Sequence, residues 1–356
     1  MLNEFSKKEA PIQGVAGLGG GVPSRLLTLA SGTTTYVDDV FSTFLYDGTG
    51  SAQTITNGID LSGEGGLVWI KSRNNSYDHR LTDTERGLGK ALESNTTDAE
   101  ATTAHCVNGS FNSDGFSLSN TGTPSAVNTS GDSICSWTFR KCPKFFDVIT
   151  YTGTGSATTV AHNLGSVPGM IIVKRTNATS SWYVYHRSLG ATKELRLNSN
   201  NSANTSSIYW NDTEPTSSVF SVGTSAGVNA SGDSYVAYLF AHNEQEFGTG
   251  GDEAIIHCGS YSGASTGPTI TTGFEVKWIM IKRTDTAANW RLYDAVRGFT
   301  TGGDPFLKPN TNDAEVTTGD DRVRPTSTGF QVCNSSVGDA AINNGSGSSY
   351  IYIAIA

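Results

Sequence analysis

Residues 275–298 read EVKWIMIKRTDTAANWRLYDAVRG. An apolar run closes on Ile281-Lys282-Arg283, a polar turn follows, and Trp290-Arg-Leu-Tyr-Asp opens a second run that stops at Arg297-Gly298. The same pattern stands twice earlier, as GMIIVKRTNATSSWYVYHRSLG from Gly169 to Gly190 and as LVWIKSRNNSYDHRLTDTERG from Leu67 to Gly87. Lys71, Lys174 and Lys282 align at spacings of 103 (71 to 174) and 108 (174 to 282), and the closing glycines Gly87, Gly190 and Gly298 keep both spacings. Eight residues before each glycine stand His79, Trp182 and Trp290. In the run around Lys282 both alternating faces are apolar, Val276, Trp278 and Met280 against Ile279 and Ile281. A strand covered on both sides reads this way, so the lysine strand belongs in the middle of a sheet.

Working outward, the rest of the unit repeats too. Leu92-Glu-Ser-Asn95, Leu195-Arg-Leu-Asn198 and Leu307-Lys-Pro-Asn310 follow the glycine, and Phe116, Phe220 and Phe330 come next. Each copy closes on a Ser-Gly turn feeding an aromatic strand: NTSGDSICSWTF from Asn128, NASGDSYVAYLF from Asn229 and NGSGSSYIYIAI from Asn344. A period near 105 far exceeds the roughly 20–50 residues of a solenoid unit. It is domain-sized, and short strands broken by Gly, Asn, Ser and Thr turns suggest antiparallel sandwiches. The expected fold is therefore all-β: three tandem antiparallel β-sandwich modules at 41–146, 147–247 and 248–356, preceded by an extended N-terminal arm at 1–40. The linkers Lys141–Lys144 and Asn243–Gly251 are short, so adjacent modules should pack on each other. Trp182 and Trp290 are each expected to fill the core of their own module.

Charged residues make up only 16% of the 356 positions, which suits a turn-rich β protein better than long helices. Lys and Arg number 24 against 33 Asp and Glu, a net charge of −9 with no basic patch, which argues against nucleic acid or an anionic membrane as partner. The five cysteines, Cys106, Cys135, Cys142, Cys258 and Cys333, include no C-x-x-C pair and suit neither a disulfide framework nor a zinc site. The opening MLNEFSKKEAP lacks the apolar stretch of a signal peptide, and no run approaches the roughly 18 apolar residues of a membrane span.

The arm matches none of the repeat motifs. Its glycine cluster, GVAGLGGGVPS from Gly14, has neither a preceding strand nor a following Gly-Lys-Ser/Thr, so it is no phosphate loop. With few large apolar residues it cannot build a core, and is expected to order against a partner. Phe5, Pro11, Ile12, Leu26 and Leu27 are the expected anchoring contacts.

Catalytic and metal-binding patterns are absent from the sequence. The six histidines (His79, His105, His162, His186, His242, His257) show no metal-ligand spacing, and no G-x-S-x-G elbow occurs. Asp83, His186 and Asp294 share one repeat position and read as polar strand ends. The thrice-repeated lysine reads as scaffold, its stem covering apolar surface while the ammonium stays in water. Asp98, Glu100, Asp320 and Asp321 offer oxygen ligands without a calcium-loop spacing. No catalytic residue, metal or cofactor is expected. Trp210, Asn211 and Asp212 form the one candidate glycan platform, since an exposed indole beside amide and carboxylate groups can stack on a sugar and pair with its hydroxyls; the other reading of Trp210 is a buried packing residue, the commoner fate of a tryptophan.

The repeated V-K-R, W-x-x-Y-D, R-G and N-x-S-G-x-x-Y elements, with the opening EFSKKEAPIQG, resemble structural proteins of marine tailed phages, a tail-fibre, knob and head-associated group. The resemblance spans nearly the whole chain and implies a non-enzymatic virion component on the particle's external surface, made in the host cytoplasm. It would be an external knob, short fibre or capsid-decorating protein attached through its N-terminal arm to capsid, portal or tail subunits. The alternative is an adhesin for a host receptor or surface glycan. A homo-oligomer, with a trimer favoured, fits such a projection, and relatives of this kind continue past the strand that ends at Ala356.

Overall fold

The computed structural model describes residues 34–119, 126–300, 303–317, 319, 322–334 and 339–356. The described chain is all-β, with every strand pairing antiparallel. One sheet order occurs three times. In the first copy Phe41–Asp47 pairs with Ser133–Arg140, which pairs with the lysine strand Gly66–Ser72, which pairs with Arg80–Asp83. The third copy runs Ile256–Ser262, Ser349–Ile355, Trp278–Arg283, Arg291–Asp294. The second runs Phe146–Thr152, Ser234–Phe240, Met170–Arg175, Trp182–His186, and continues through Lys193–Arg196 and Asn204–Thr205. The register is the same in all three, with Lys71 opposite Cys135, Lys174 opposite Val236 and Lys282 opposite Ile351. The lysine strand is interior each time, as its two apolar faces require.

A smaller sheet covers one face of each main sheet. It comprises Gln53–Thr56, Gly115–Leu118 and Ser110–Asn112 in the first copy, and Thr158–Ala161 with Val219–Val222 in the second. In the third it comprises Thr269–Thr271, Gly329–Val332 and Val323–Thr326. Strand alternation then divides the side chains. Val68 and Ile70 face the small sheet with Ile55, Phe116 and Leu118, and Ile279 and Ile281 do the same with Phe330 and Val332. Leu67 and Trp69, like Trp278 and Met280, point the other way, into one core that also takes in the apolar side chains of the whole second copy. Phe139 sits where all three meet, its ring 5.5 Å from Phe146, 5.5 Å from Phe240 and 5.8 Å from Trp278.

This shared core changes the expected picture. Modules 1 and 3 each keep a core of their own between main and small sheet, but a further core is common to all three, and residues 34–356 form a single compact unit. Trp182 and Trp290 are fully buried, but in the shared core and not each in a core of its own. The body also starts before residue 41. Thr35 O accepts from Gly248 N at 3.0 Å, and Val40, at the end of the helical turn Val37–Val40, is completely buried.

One turn device recurs. Asn128, Asn229 and Asn343 each accept, through Oδ1, from the backbone N–H after a glycine, at Thr49, Thr154 and Ala264. In the third copy Asn343 takes this role, one residue before the Asn344 that the Ser-Gly spacing singles out. The glycine is forced: a Cβ on Gly153 would overlap the Ala230 carbonyl.

Candidate functional site

The polar residues that the repeat preserves converge on the junctions between modules. Trp182 Nε1 donates to Glu93 O of module 1 at 2.9 Å, and Trp290 Nε1 donates to Arg196 O of module 2 at 3.0 Å. The counterpart in module 1 is His79, whose Nε2 donates to Lys308 O of module 3 at 3.1 Å while its Nδ1 accepts from Trp69 Nε1. Glu93, Arg196 and Lys308 each follow the leucine that opens the Leu-x-x-Asn segment. The contacts therefore run from module 2 to 1, from 3 to 2 and from 1 to 3, and the three modules close into a ring.

Backbone bonds follow the same cycle. Glu100 N donates to Thr176 O, Ala203 N to Thr284 O and Glu315 N to Arg73 O, at 2.7, 2.9 and 2.7 Å. Two of the three lysines serve these junctions as well. Lys174 Nζ donates to Thr97 O of module 1 and Ser180 O of its own hairpin, and Lys282 Nζ donates to Asn200 O of module 2 as well as to Arg283 O and Ala288 O. Lys71 Nζ donates to Ser72 O and Asn75 O. Burial lowers Lys71 and Lys174 to about 8 and Lys282 to about 7. The ammonium groups are therefore not in water as expected: all three lysines are completely buried, with backbone carbonyls in place of solvent, and Lys174 and Lys282 brace neighbouring modules.

The position shared by Asp83, His186 and Asp294 separates the junctions chemically. At the junction of modules 1 and 2, Asp83 pairs with Arg86 at 2.6 Å and accepts from Tyr238 Oη at 2.7 Å, and Arg86 reaches Glu100 at 3.1 Å. Burial opposes the Arg86 charge, but Asp83 and Glu100 more than offset it and hold its pKa above the ordinary value. At the junction of modules 3 and 1, Asp294 pairs with Arg297 at 2.6 Å and accepts from Trp137 Nε1 at 3.0 Å. There Glu315 joins Arg297 and Arg73, at 3.0 and 2.7 Å. At the junction of modules 2 and 3 the Asp, Arg and Glu positions hold His186, Leu189 and Ala203. His186 Nε2 donates to Tyr352 O at 3.1 Å, Nδ1 accepts from Ser188 N, and burial lowers the imidazole to about 4. Leu189 and Ala203 line a cleft of about 680 Å³ at this junction, with Ser260, Ser262, Thr284 and Asp285 on the facing module.

A family model described as a domain of unknown function, DUF7483, matches residues 37–356. The chain belongs to the DUF7483 family. No curated protein matches the chain. The DUF7483 match opens at the helical turn Val37–Val40 and takes in all three modules, so the closed ring lies wholly within it.

Within this DUF7483 body the expected glycan platform is rearranged. Trp210 ends the helical turn Ser207–Trp210, is 2% exposed and packs edge-on against Tyr185 at 6.0 Å. Stacking on a sugar needs an open ring face, and this indole has none. Asn211 and Asp212 are exposed, both in the left-handed backbone region that ends the turn. Glu100 is committed to Arg86, and among the described residues no group of three or more His, Cys, Asp or Glu side chains is placed to hold a metal ion. Phe5, Pro11, Ile12, Leu26 and Leu27 lie outside the described residues, as do Asp320 and Asp321. Glu100 stood out in the sequence only as an oxygen ligand, and Arg86, Arg297 and Glu315 carried no functional expectation. Their signal was available, because Asp, Arg and Glu are replaced together in the middle copy.

Proposed function

We propose that this DUF7483 protein is a non-enzymatic structural component of a tailed-phage virion. It would be an external knob, short fibre or capsid decoration, held to capsid, portal or tail subunits through the segment before residue 34. The observation that carries this reading is the closure of three modules into one body. The residues that recur in the copies are spent on scaffold: the Trp or His of each copy, and Lys174 and Lys282, donate to backbone carbonyls of a neighbouring module, and Lys71 braces its own hairpin. A closed ring of sandwiches also gives one chain the threefold form that a homotrimeric projection would assemble from three chains. The resemblance of the repeated motifs to structural proteins of marine tailed phages supports the same reading.

The test is location in the particle. Purified virions should contain the protein at a fixed copy number, and antibody against residues 37–356 should label one place on the exterior by electron microscopy. Deleting residues 1–22 should leave a soluble, folded body that no longer attaches. Absence of the protein from purified virions overturns the reading, and normal incorporation of the deletion variant overturns the role of the arm.

A further inference from the structure

The three junctions are built to one plan, and only the one between modules 2 and 3 departs from it. Where modules 1 and 2 meet, Arg86 and Glu100 occupy the equivalent positions, and where modules 3 and 1 meet, Arg297, Glu315 and Arg73 do. The corresponding residues of the third junction are Leu189, Ala203 and Thr284. The facing strand contributes Ser260 to the lining, at the position that is Leu45 in module 1 and Thr150 in module 2. The outcome is the cleft of about 680 Å³ and, sharing Ala203 as a wall, a second of about 380 Å³ lined by Glu194, Arg196, Asn201, Ser202 and Asn204.

The lining points to one chemistry. Hydroxyls of Ser188, Ser260, Ser262, Thr284 and Ser349 surround the larger cleft, and amides of Asn201 and Asn204 line the smaller. The charges balance, Lys193 and Arg196 against Asp285 and Glu194, so no net field selects an anion or a cation. Lys193 is the counterpart of Lys90, which pairs with Glu100; in module 2 that glutamate is Ala203, and among the described residues Lys193 makes no ion pair. Glu194 is 2% exposed; its Oε1 lies 3.6 Å from Arg196 Nε, and its Oε2 is buried without a hydrogen-bond partner. An unpaired buried carboxylate oxygen costs free energy that an incoming hydroxyl donor would recover.

We infer that the junction of modules 2 and 3 is a binding site for a neutral saccharide, open because the Arg–Glu plug of the other two junctions is missing. The hydroxyl and amide groups match a polyol, Lys193 and Glu194 supply one charged donor and one charged acceptor, and the volume lies within the roughly 300–1,000 Å³ of small-ligand clefts. This goes beyond the virion reading and does not depend on it.

The experiment rebuilds the plug from the protein's own sister junctions. Wild type and the Leu189→Arg/Ala203→Glu variant are examined by saturation-transfer NMR against glucose, galactose, N-acetylglucosamine, maltose and lactose at tens of millimolar. A second variant, Ser260→Leu, copies the module 1 residue and fills the cleft without charge. Circular dichroism confirms that each variant is folded. Wild type should show transfer to at least one of these sugars, and a variant that is folded should weaken it at least tenfold. No transfer to any of the five sugars, or equal transfer to wild type and a folded variant, overturns the inference.

Discussion

Replacing Trp290 with alanine tests whether the three modules stand or fall as one. The indole is 1% exposed, lies in the shared core and donates to Arg196 O across a junction. Truncating a buried aromatic costs about 3–5 kcal/mol, and the stranded Arg196 carbonyl adds about 1 kcal/mol. Against a total stability of roughly 5–15 kcal/mol, such a loss shifts the whole folding equilibrium. Urea unfolding followed by far-ultraviolet circular dichroism should show one transition in the wild type and one in Trp290→Ala, moved to lower urea with its slope unchanged. Trp290→Phe keeps most of the apolar volume but loses the N–H, and should fall between the two. The reasoning fails if Trp290→Ala loses less than about 1 kcal/mol, below any core truncation. It fails equally if the variant's curve splits so that two thirds of the signal unfolds at the wild-type midpoint, which is what independent beads would give.

Arg86→Ala should cost about 3–5 kcal/mol, because it leaves the fully buried Asp83 carboxylate without its cation. The triple change Asp83→His/Arg86→Leu/Glu100→Ala copies the solution used in module 2 and should recover most of that loss; a triple variant less stable than the single one refutes the equivalence of the junctions. Acid should weaken the body through His186. Its unfolded pKa near 6.5 exceeds the folded value of about 4, so the unfolded chain binds more protons and stability falls as pH drops through that window. The loss is about 3 kcal/mol at most, and stability measured between pH 7 and pH 5 should be flatter in His186→Asn; identical slopes would reject the assignment. Gly153→Ala should destabilise by about 1–3 kcal/mol, the usual cost of forced overpacking, since its Cβ meets the Ala230 carbonyl, and an unchanged melting temperature would show that the turn yields.

The repeated strands were legible because side-chain patterns alone specify them. Two apolar faces around Lys71, Lys174 and Lys282 announce an interior strand, and that is where Gly66–Ser72, Met170–Arg175 and Trp278–Arg283 lie. Ring closure was not legible, because the acceptors that receive His79, Trp182 and Trp290 are backbone carbonyls of Lys308, Glu93 and Arg196, and any residue type can supply those. For Trp210 the packing reading holds and the platform reading does not. Its Asn and Asp neighbours suggested a wet loop, but they end a one-turn helix that directs the indole inward. The open junction left a fainter trace: His186 in place of aspartate was visible, but its meaning needed Leu189 and Ala203 to be read with it.

Closure of the ring also sets an order of events during synthesis. Module 1 emerges first, and the surface it turns to module 3, including Trp137 and Arg73, finds its partners Asp294 and Glu315 only 157 and 242 residues later. At a translation rate of roughly 5–20 residues per second, that surface waits about 8–50 s. Contacts of such sequence separation also close slowly in refolding. Until then, Trp69, Trp137 and Phe139 present an apolar sheet face that any other nascent copy could cover, so yield should depend on how crowded and how warm the translating cell is. Slower growth at lower temperature would favour the intramolecular partner over the intermolecular one.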